Sequence, residues 1–297
     1  RSAFQRVLPG IGEKIYDHAD IQRNGNETMK ADLHIHTTHS DGAFSVAEII
    51  AMARNLDYIA ITDHDTFSGA REALAIAPDK PKIIFGIELS TENRDESVHL
   101  LGYFPDQGTI AGLEEKLLEQ RRHRRTRAEA IRAKLKELFN IEIDFSGYEA
   151  TESITRGTIA SAIIERGYPF TREEIFDRMI GSGRPAYIPS TKLSTKEGIK
   201  LIRENGGFVF LAHPVLLRKN DPEEIIRMGV DGIEAVYPVN NKGDEKKYRR
   251  LAAEWDLLIS GGSDFHILND SMHGKLGGTP LKGRDLDLFL RALKGAR

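Results

Sequence analysis

The sequence predicts an α/β fold in which about seven strand–helix units wrap into a closed or nearly closed barrel, interrupted once by a helical insert. Three observations carry this. Short apolar runs alternate with apolar-periodic helices up to residue 105 and again after residue 195, the rhythm of parallel strands covered by helices. Histidines and carboxylates recur beside the ends of those runs, and barrels carry their chemistry at the C-terminal ends of strands. Between Pro105 and Lys196 there is no convincing buried strand, only a long charged helix and shorter ones.

Composition sets the limits. The 297 residues suffice for one large barrel or two ordinary domains. An apolar fraction of 40% with 29% charged residues is that of a soluble globular protein. No apolar stretch approaches the roughly 18 residues needed to cross a membrane, and no basic start followed by an apolar middle marks a secretory signal. A cytoplasmic protein is expected. The formal net charge of -3 gives no global attraction to nucleic acid, so contact with a polyanion must be local. Cysteine is absent, which excludes disulfides and thiolate ligands; any metal must be held by nitrogen and oxygen.

Taken in order, residues 1–28 read as an N-terminal extension without an assigned role. Arg1 is not an initiator, Pro9-Gly10 and Asn24-Gly25 are breakers, and Met29-Lys30 stands where a natural start would be. An extension, a fusion remnant and a misjudged start all stay open. From Lys30 the chain reads as strand Ala31–His36, helix Val46–Leu56, strand Tyr58–Ile61, helix Ser68–Ala77, and strands Lys82–Ile87 and Val98–Phe104. Helices are expected over Leu113–Phe139, Thr158–Arg166 and Arg172–Ile180. After residue 195 a helix to Glu204 leads to strand Phe208–Ala212, then a helix from Pro222 to strand Gly232–Tyr237. A helix through Trp255, strand Leu257–Ser260 and helix Leu286–Leu293 complete the chain. The predicted organisation is a barrel over 29–105 and 196–297 with a helical insert over 106–195.

The stretch Lys30-Ala-Asp-Leu-His-Ile-His-Thr-Thr-His-Ser-Asp-Gly42 is the centre of the functional reading. In a strand, residues i and i+2 share a face, so His34 and His36 project together with Asp41 in the following loop. Further ligand types stand at Thr62-Asp-His64-Asp65, Gly86-Ile-Glu88, His213-Pro214 and Gly261-Gly-Ser-Asp264-Phe-His266; His99, near the start of its strand, is out of position. Any one such residue is more often a hydrogen-bonded core histidine or a surface carboxylate. Six of the ten histidines together with Asp41, Glu88 and Asp264 beside strand ends argue instead for a metal site. His18, His39, His123 and His273 fall in the tail, a loop, the charged helix and a late loop.

These motifs resemble the PHP (polymerase and histidinol phosphatase) superfamily of metal-dependent phosphoesterases: Asp32-Leu-His-Ile-His-Thr37, Ser40-Asp-Gly42, Thr62-Asp-His-Asp65, Gly86-Ile-Glu88, Ala212-His-Pro214 and Ser263-Asp-Phe-His266. The resemblance runs from about Met29 to the C-terminus and implies a distorted (β/α)7 barrel. It also implies nine ligands for two to three divalent ions. His34, His36, Glu88 and Asp264 would hold the catalytic one; Glu88 would bridge to a second held by His99 and His213; Asp41, His64 and His266 would hold the third. Imidazole and carboxylate ligands suit Mn²⁺, Fe²⁺ or Zn²⁺ better than Mg²⁺. Clustered cations stabilise attacking and leaving oxygens of a phosphate ester and supply hydroxide from a bound water near neutral pH.

The insert resembles the branch acting on nucleoside 3',5'-bisphosphates and, in some members, short 5'-phosphorylated RNA. Its matching motifs are Arg156-Gly-Thr-Ile-Ala160, Gly181-Ser-Gly183 and Pro185-Ala-Tyr-Ile-Pro189. The branch often has an aromatic or histidine where Gly157–Ile159 stand, and a histidine near Asn240-Asn241. The expected reaction removes the 3'-phosphate of a bisphosphate to leave a 5'-nucleotide. A 5'-to-3' exonuclease on short RNA, a histidinol-phosphate-type phosphatase and a non-catalytic metal-stabilised accessory domain are the alternatives. Arg156 and Arg184 are the candidate phosphate clamps, since a guanidinium offers a bidentate fork. The run Arg121-Arg-His-Arg-Arg-Thr-Arg127 reads as an RNA-binding strip or as a solvated helix face salt-bridged to Glu114, Glu115, Glu119 and Glu129. Asp63 or Asp65 could orient His64, Asp65 alternatively capping the next helix. Tyr187 and Tyr237 could stack on a base or be buried tyrosines. The sequence gives no sign of an obligate protein partner or a membrane.

Overall fold

In the computed structural model, strand β1 (Lys30–Ile35) leads to helix α1 (Val46–Met52), β2 (Tyr58–Ile61) and α2 (Ser68–Ile76). Strands β3 (Lys82–Asn93) and β4 (Glu96–Phe104) follow, then the long helix α3 (Ala111–Phe139), α4 (Arg156–Glu165) and α5 (Arg172–Ile175), which runs on as a π-helical turn at Phe176–Ile180. The chain closes with β5 (Leu193–Ser194), α6 (Thr195–Glu204), β6 (Phe208–Leu211), α7 (Pro222–Arg227), β7 (Gly232–Val236), α8 (Lys242–Glu254), β8 (Leu258–Gly261), β9 (Leu281–Lys282) and α9 (Gly283–Gly295). The structure describes residues 28–295 except 109, 147, 149–150, 190–192 and 270–272; apart from Thr28, the predicted extension lies outside them. No helix among the described residues is long and apolar enough to cross a membrane.

The strands form one sheet in the order β8-β7-β6-β4-β3-β2-β1-β9, with β5 beside β3. A bridge between Ile35 and Phe265, just beyond β8, brings the two ends together as a nearly closed barrel. Two features depart from the simple alternation. β4 runs antiparallel to both neighbours, so its N-terminal half lies at the rim where the parallel strands end. That orientation is why His99, early in its strand, stands level with residues at the ends of others. A two-residue strand, β5, also lies inside the region expected to be strand-free.

Local sequence explains most boundaries. Ser45 with Glu48, Ser194 with Glu197 and Asn241 with Asp244 form capping boxes that start α1, α6 and α8; Asp221 caps α7 with Pro222 in its first turn. One apolar cluster joins Ile59, Ile61, Ile87 and Leu100 to the surrounding helices. A second fills the other strand face with Leu33, Ala60, Leu101, Tyr103 and Phe210 against Phe289 of α9. Residues between Ala128 and Ala186 pack a third around Ile131, Leu135, Ile159, Ile163 and Met179. This third cluster is separate from the barrel's, whereas Ile110, Leu113 and Leu117, earlier in the region expected to be an insert, join the first.

Candidate metal centre

The centre begins with an irregularity in β1. Asp32 pairs with Ile59 but Ile35 with Ile61, so β1 spends one more residue than β2 over the same span. Such a bulge re-aims side chains next to a site. Ile35 joins Ile59 and Ile61 in the cluster outside the barrel, while Leu33 belongs to the inner one. His34 and His36 thereby turn together toward Glu88, their ring centroids 5.2 Å apart.

All nine predicted ligands meet there. His34 Nε2 lies 3.2 Å from Asp264 Oδ1 and 3.4 Å from Glu88 Oε2; His36 Nε2 lies 3.2 Å from both carboxylates. His99 Nδ1 and His213 Nε2 sit 2.9 and 3.0 Å from Glu88 Oε1. His64 Nδ1 is 3.0 Å from Glu88 Oε2, and His266 Nε2 is 3.3 Å from Asp41 Oδ1. Donor atoms within 4.8 Å of one another define four groups: His34/His36/Glu88/Asp264, His36/Asp41/His64/His266, His64/Glu88/His99 and Asp264/His266/His273. His64 thus belongs to two of them. His273, in a late loop and not among the expected ligands, stacks on His266 at 4.2 Å and joins the rim.

The donor set fits divalent cations. His34 Nε2, His36 Nε2, His64 Nδ1, Asp41 Oδ1 and Asp264 Oδ1 are buried without a hydrogen-bond partner, a costly arrangement for polar atoms in a protein interior. They converge instead of dispersing, and they are nitrogen and carboxylate donors of the kind first-row metals take. The charges of these groups are tightly coupled. Burial favours the neutral Glu88 carboxyl, but His64, His99 and His34 hold it well below the carboxylate range. Burial lowers His36, yet Asp264 and Glu88 outweigh it and push that imidazole up to about 10. Burial together with His36 and His99 keeps His64 well below the ordinary histidine value, against the pull of Glu88 and Asp41.

The surrounding carboxylates hold the frame. Asp63 accepts from Thr37 N, Thr37 Oγ1 and Ser40 Oγ at 2.7, 2.7 and 2.6 Å, fixing the loop that presents Asp41. Asp32 accepts from Ser263 N and Oγ, fixing the loop that presents Asp264. Asp65 accepts from Ser90 N at 2.8 Å and from Arg124 Nε at 2.7 Å. Neither Asp63 nor Asp65 directs its carboxylate to the His64 ring, and the N-cap of α2 is Phe67 with no side-chain hydrogen bond, so both expectations for Asp65 give way to its ties to Ser90 and Arg124. Asp65, His213 and Asp264 take φ of 54°, 25° and 51°, conformations that collect at functional sites.

Beside the centre opens a cleft of about 480 Å³, lined by Asp41, Glu88 and His213 on the barrel side and by Arg124, Arg127, Arg156 and Arg172 from the insert. Arg127 and Arg156 bracket the Tyr187 ring, their guanidinium carbons 5.6 and 5.7 Å from its centroid. Burial, with Arg156 close by, pushes Arg127 down to about 10. Gly157 keeps room where α4 meets the centre: a Cβ there would crowd Arg172 Nη2 at 2.5 Å and Asp41 Oδ2 at 2.7 Å. Arg184 does not line the cleft: the turn closed by Arg184 N donating to Gly181 O carries it to an exposed position. Asn241 caps α8 and Asn240 Nδ2 donates to Ala235 O, so neither is a cleft residue. Tyr237 is buried and donates its hydroxyl to Asp264 Oδ2 at 2.8 Å. The arginine run was legible only in part; its inward members recur at helical spacing on the face that also buries Gln120, Ala128 and Ile131.

A nitrogen-and-oxygen donor cluster at the mouth of a nearly closed barrel, next to an arginine-lined cleft, defines a metal-dependent phosphoesterase. The PHP domain model matches residues 32–180. A 5'-3' exoribonuclease of Haemophilus influenzae is 32% identical over 81% of this chain and 91% of its own length. A 3',5'-nucleoside bisphosphate phosphatase of Chromobacterium violaceum is 30% identical over 79% and 86%. The structure of a protein from Bifidobacterium adolescentis assigned as a metal-dependent phosphoesterase superposes with a TM-score of 0.79 at 28% identity, covering 89% of this chain and 96% of that one. The chain belongs to the PHP domain family.

Proposed function

We propose that this protein removes the 3'-phosphate of nucleoside 3',5'-bisphosphates, with His34, His36, Asp41, His64, Glu88, His99, His213, Asp264 and His266 holding two or three Mn²⁺, Fe²⁺ or Zn²⁺ ions. The observation that carries this is the meeting of five buried donor atoms that lack hydrogen-bond partners with a cleft where Arg124, Arg127, Arg156 and Arg172 stand opposite Asp41, His64 and Asp264. When bound, the cations supply the charge that polarises the phosphoryl oxygens and acidifies a water. Glu88, reached by His34, His36, His64, His99 and His213, fixes the relative positions of these groups. Arg156 and Arg127, both half-buried, hold the non-reacting phosphate with forked hydrogen bonds. Residues 106–195 act as the subdomain that brings these arginines to the barrel.

A second reading, 5'-to-3' hydrolysis of short 5'-phosphorylated RNA, is favoured by one further feature. Arg218 and Lys219, on the loop beyond His213, also line the cleft, so cations stand on the barrel side as well and could follow a longer backbone. Phosphate release from adenosine 3',5'-bisphosphate by Mn²⁺-loaded protein tests the assignment, beside AMP, histidinol phosphate and a 5'-phosphorylated RNA of a few nucleotides. Rapid release from the bisphosphate with AMP untouched, abolished by His34→Ala, is the expected result. Mononucleotides from the RNA with no release from the bisphosphate would overturn it in favour of the second reading.

A further inference from the structure

We infer that Glu234 is a positioning residue of the metal centre, a single carboxylate that sets the ring of His34 and the backbone of His213 together. The inference rests on the metal-site reading above. Glu234 lies in the middle of β7 in the run Gly-Ile-Glu-Ala-Val and is fully buried. One oxygen is 3.0 Å from His34 Nδ1. The other accepts the backbone N–H of His213 at 2.7 Å. Among the described residues its ion-pair partner is His34, so no arginine or lysine there accounts for a carboxylate in the barrel interior. A buried carboxylate is retained only where its hydrogen bonds are specific.

Each bond has a consequence for a proposed ligand. A carboxylate beside Nδ1 keeps the proton on that nitrogen and leaves Nε2 as the donor. His34 Nε2 is buried without a hydrogen-bond partner and faces Glu88 and Asp264 at 3.4 and 3.2 Å. His213 follows β6 with φ 25° and ψ 60° and precedes Pro214; a backbone held there needs an anchor, and its side chain reaches Glu88 at 3.0 Å. Glu234 therefore spans the two proposed sites that share Glu88. Gly232-Ile-Glu234 also repeats the Gly86-Ile-Glu88 triplet on another strand.

The test compares metal affinity and stoichiometry, by calorimetry and elemental analysis, for the wild type, Glu234→Gln, Glu234→Asp and His34→Ala, with circular dichroism as the fold check. Glu234→Gln keeps the shape and can accept from only one of the two donors; Glu234→Asp keeps the charge but withdraws it by one methylene. Both are expected to weaken Mn²⁺ binding by about 10- to 100-fold while the fold is retained. Wild-type affinity in Glu234→Gln, or in Glu234→Asp alone, would overturn the positioning role, the latter by showing that charge suffices. A wild type that binds no metal would instead defeat the metal-site reading itself. Should the Gln variant not fold, the Asp variant decides, together with the Co²⁺-loaded wild type containing ¹⁵N-histidine. There a paramagnetically shifted His34 Nδ1–H protected from exchange is expected, and its absence would refute the bond.

Discussion

Removing the Arg124 side chain should loosen the insert from the barrel more than removing any other arginine of its run. Its Nε donates to Asp65 Oδ2 at 2.7 Å and its Nη2 to Ser90 Oγ at 2.6 Å. The side chain is 11% exposed and that of Asp65 is 0% exposed, so water cannot replace the lost bonds. Breaking a buried ion pair by removing one partner costs about 3–5 kcal/mol, because the other charge is left uncompensated. At roughly 2–4 °C per kcal/mol for a large domain, Arg124→Ala should lower Tm by about 6–20 °C. The assay is a double-mutant cycle with Asp65→Asn, read by urea unfolding. Asparagine tolerates the positive φ of 54° at residue 65, so the cycle isolates the pair. Arg124→Ala should be far milder in the Asp65→Asn background. Equal destabilisation in both backgrounds would refute the reasoning.

Two more perturbations separate binding from structure. Arg156→Ala should raise KM for the bisphosphate about 10- to 100-fold, the loss of one charge-assisted bond of roughly 1.5–3 kcal/mol, whereas exposed Arg184→Ala should leave steady-state kinetics near wild type; the reverse order would remove Arg156 from the clamp. Glu96 accepts from the backbone of Arg218, Lys219 and Asn220 and from Asn220 Nδ2. Burial would raise its carboxyl, but these bonds hold it below the usual value of 4.5. A lowered folded pKa gives stability that is complete above the unfolded value and fades as pH falls through the folded one. Urea unfolding should therefore find Glu96→Gln less stable than wild type at neutral pH, with the gap closing as pH falls below the ordinary value of 4.5; a gap independent of pH would exclude the titration.

Much of the site was legible because ligand chemistry and strand period coincide. His34 and His36 at i and i+2, Glu88 after its apolar run and the Asp264–His266 pair announce themselves by residue type at strand ends. What escaped depends on relations between strands. The bulge in β1 arises from pairing with β2, and no local pattern in Ala31–His36 reveals it. His99 looked out of place only because its strand was taken to run with its neighbours, whereas β4 is antiparallel. Asp63 and Asp65 flank His64 in sequence but their side chains turn to Thr37 and Arg124, contacts that span 26 and 59 residues. Glu234 was missed although a carboxylate inside an apolar strand is itself a signal.

The charges on these residues tie the number of cations to the way substrate is held. On the proposed ligand set, Asp41, Glu88 and Asp264 with Glu234 bring four negative charges, three from the candidate donor groups and the fourth facing His34. Two divalent ions just neutralise that set, and a dianionic phosphate would then gain little from the centre's net field. Its attraction would fall on Arg127 and Arg156, whose partial burial limits their screening. A third ion changes the balance by two charges at the point where phosphate must approach. Removing the third-site donors should therefore make KM depend more steeply on the arginines. In an Asp41→Asn background, Arg156→Ala should raise KM by a larger factor than it does in the fully loaded protein. The same factor in both would show that the arginines and the metals attract substrate independently.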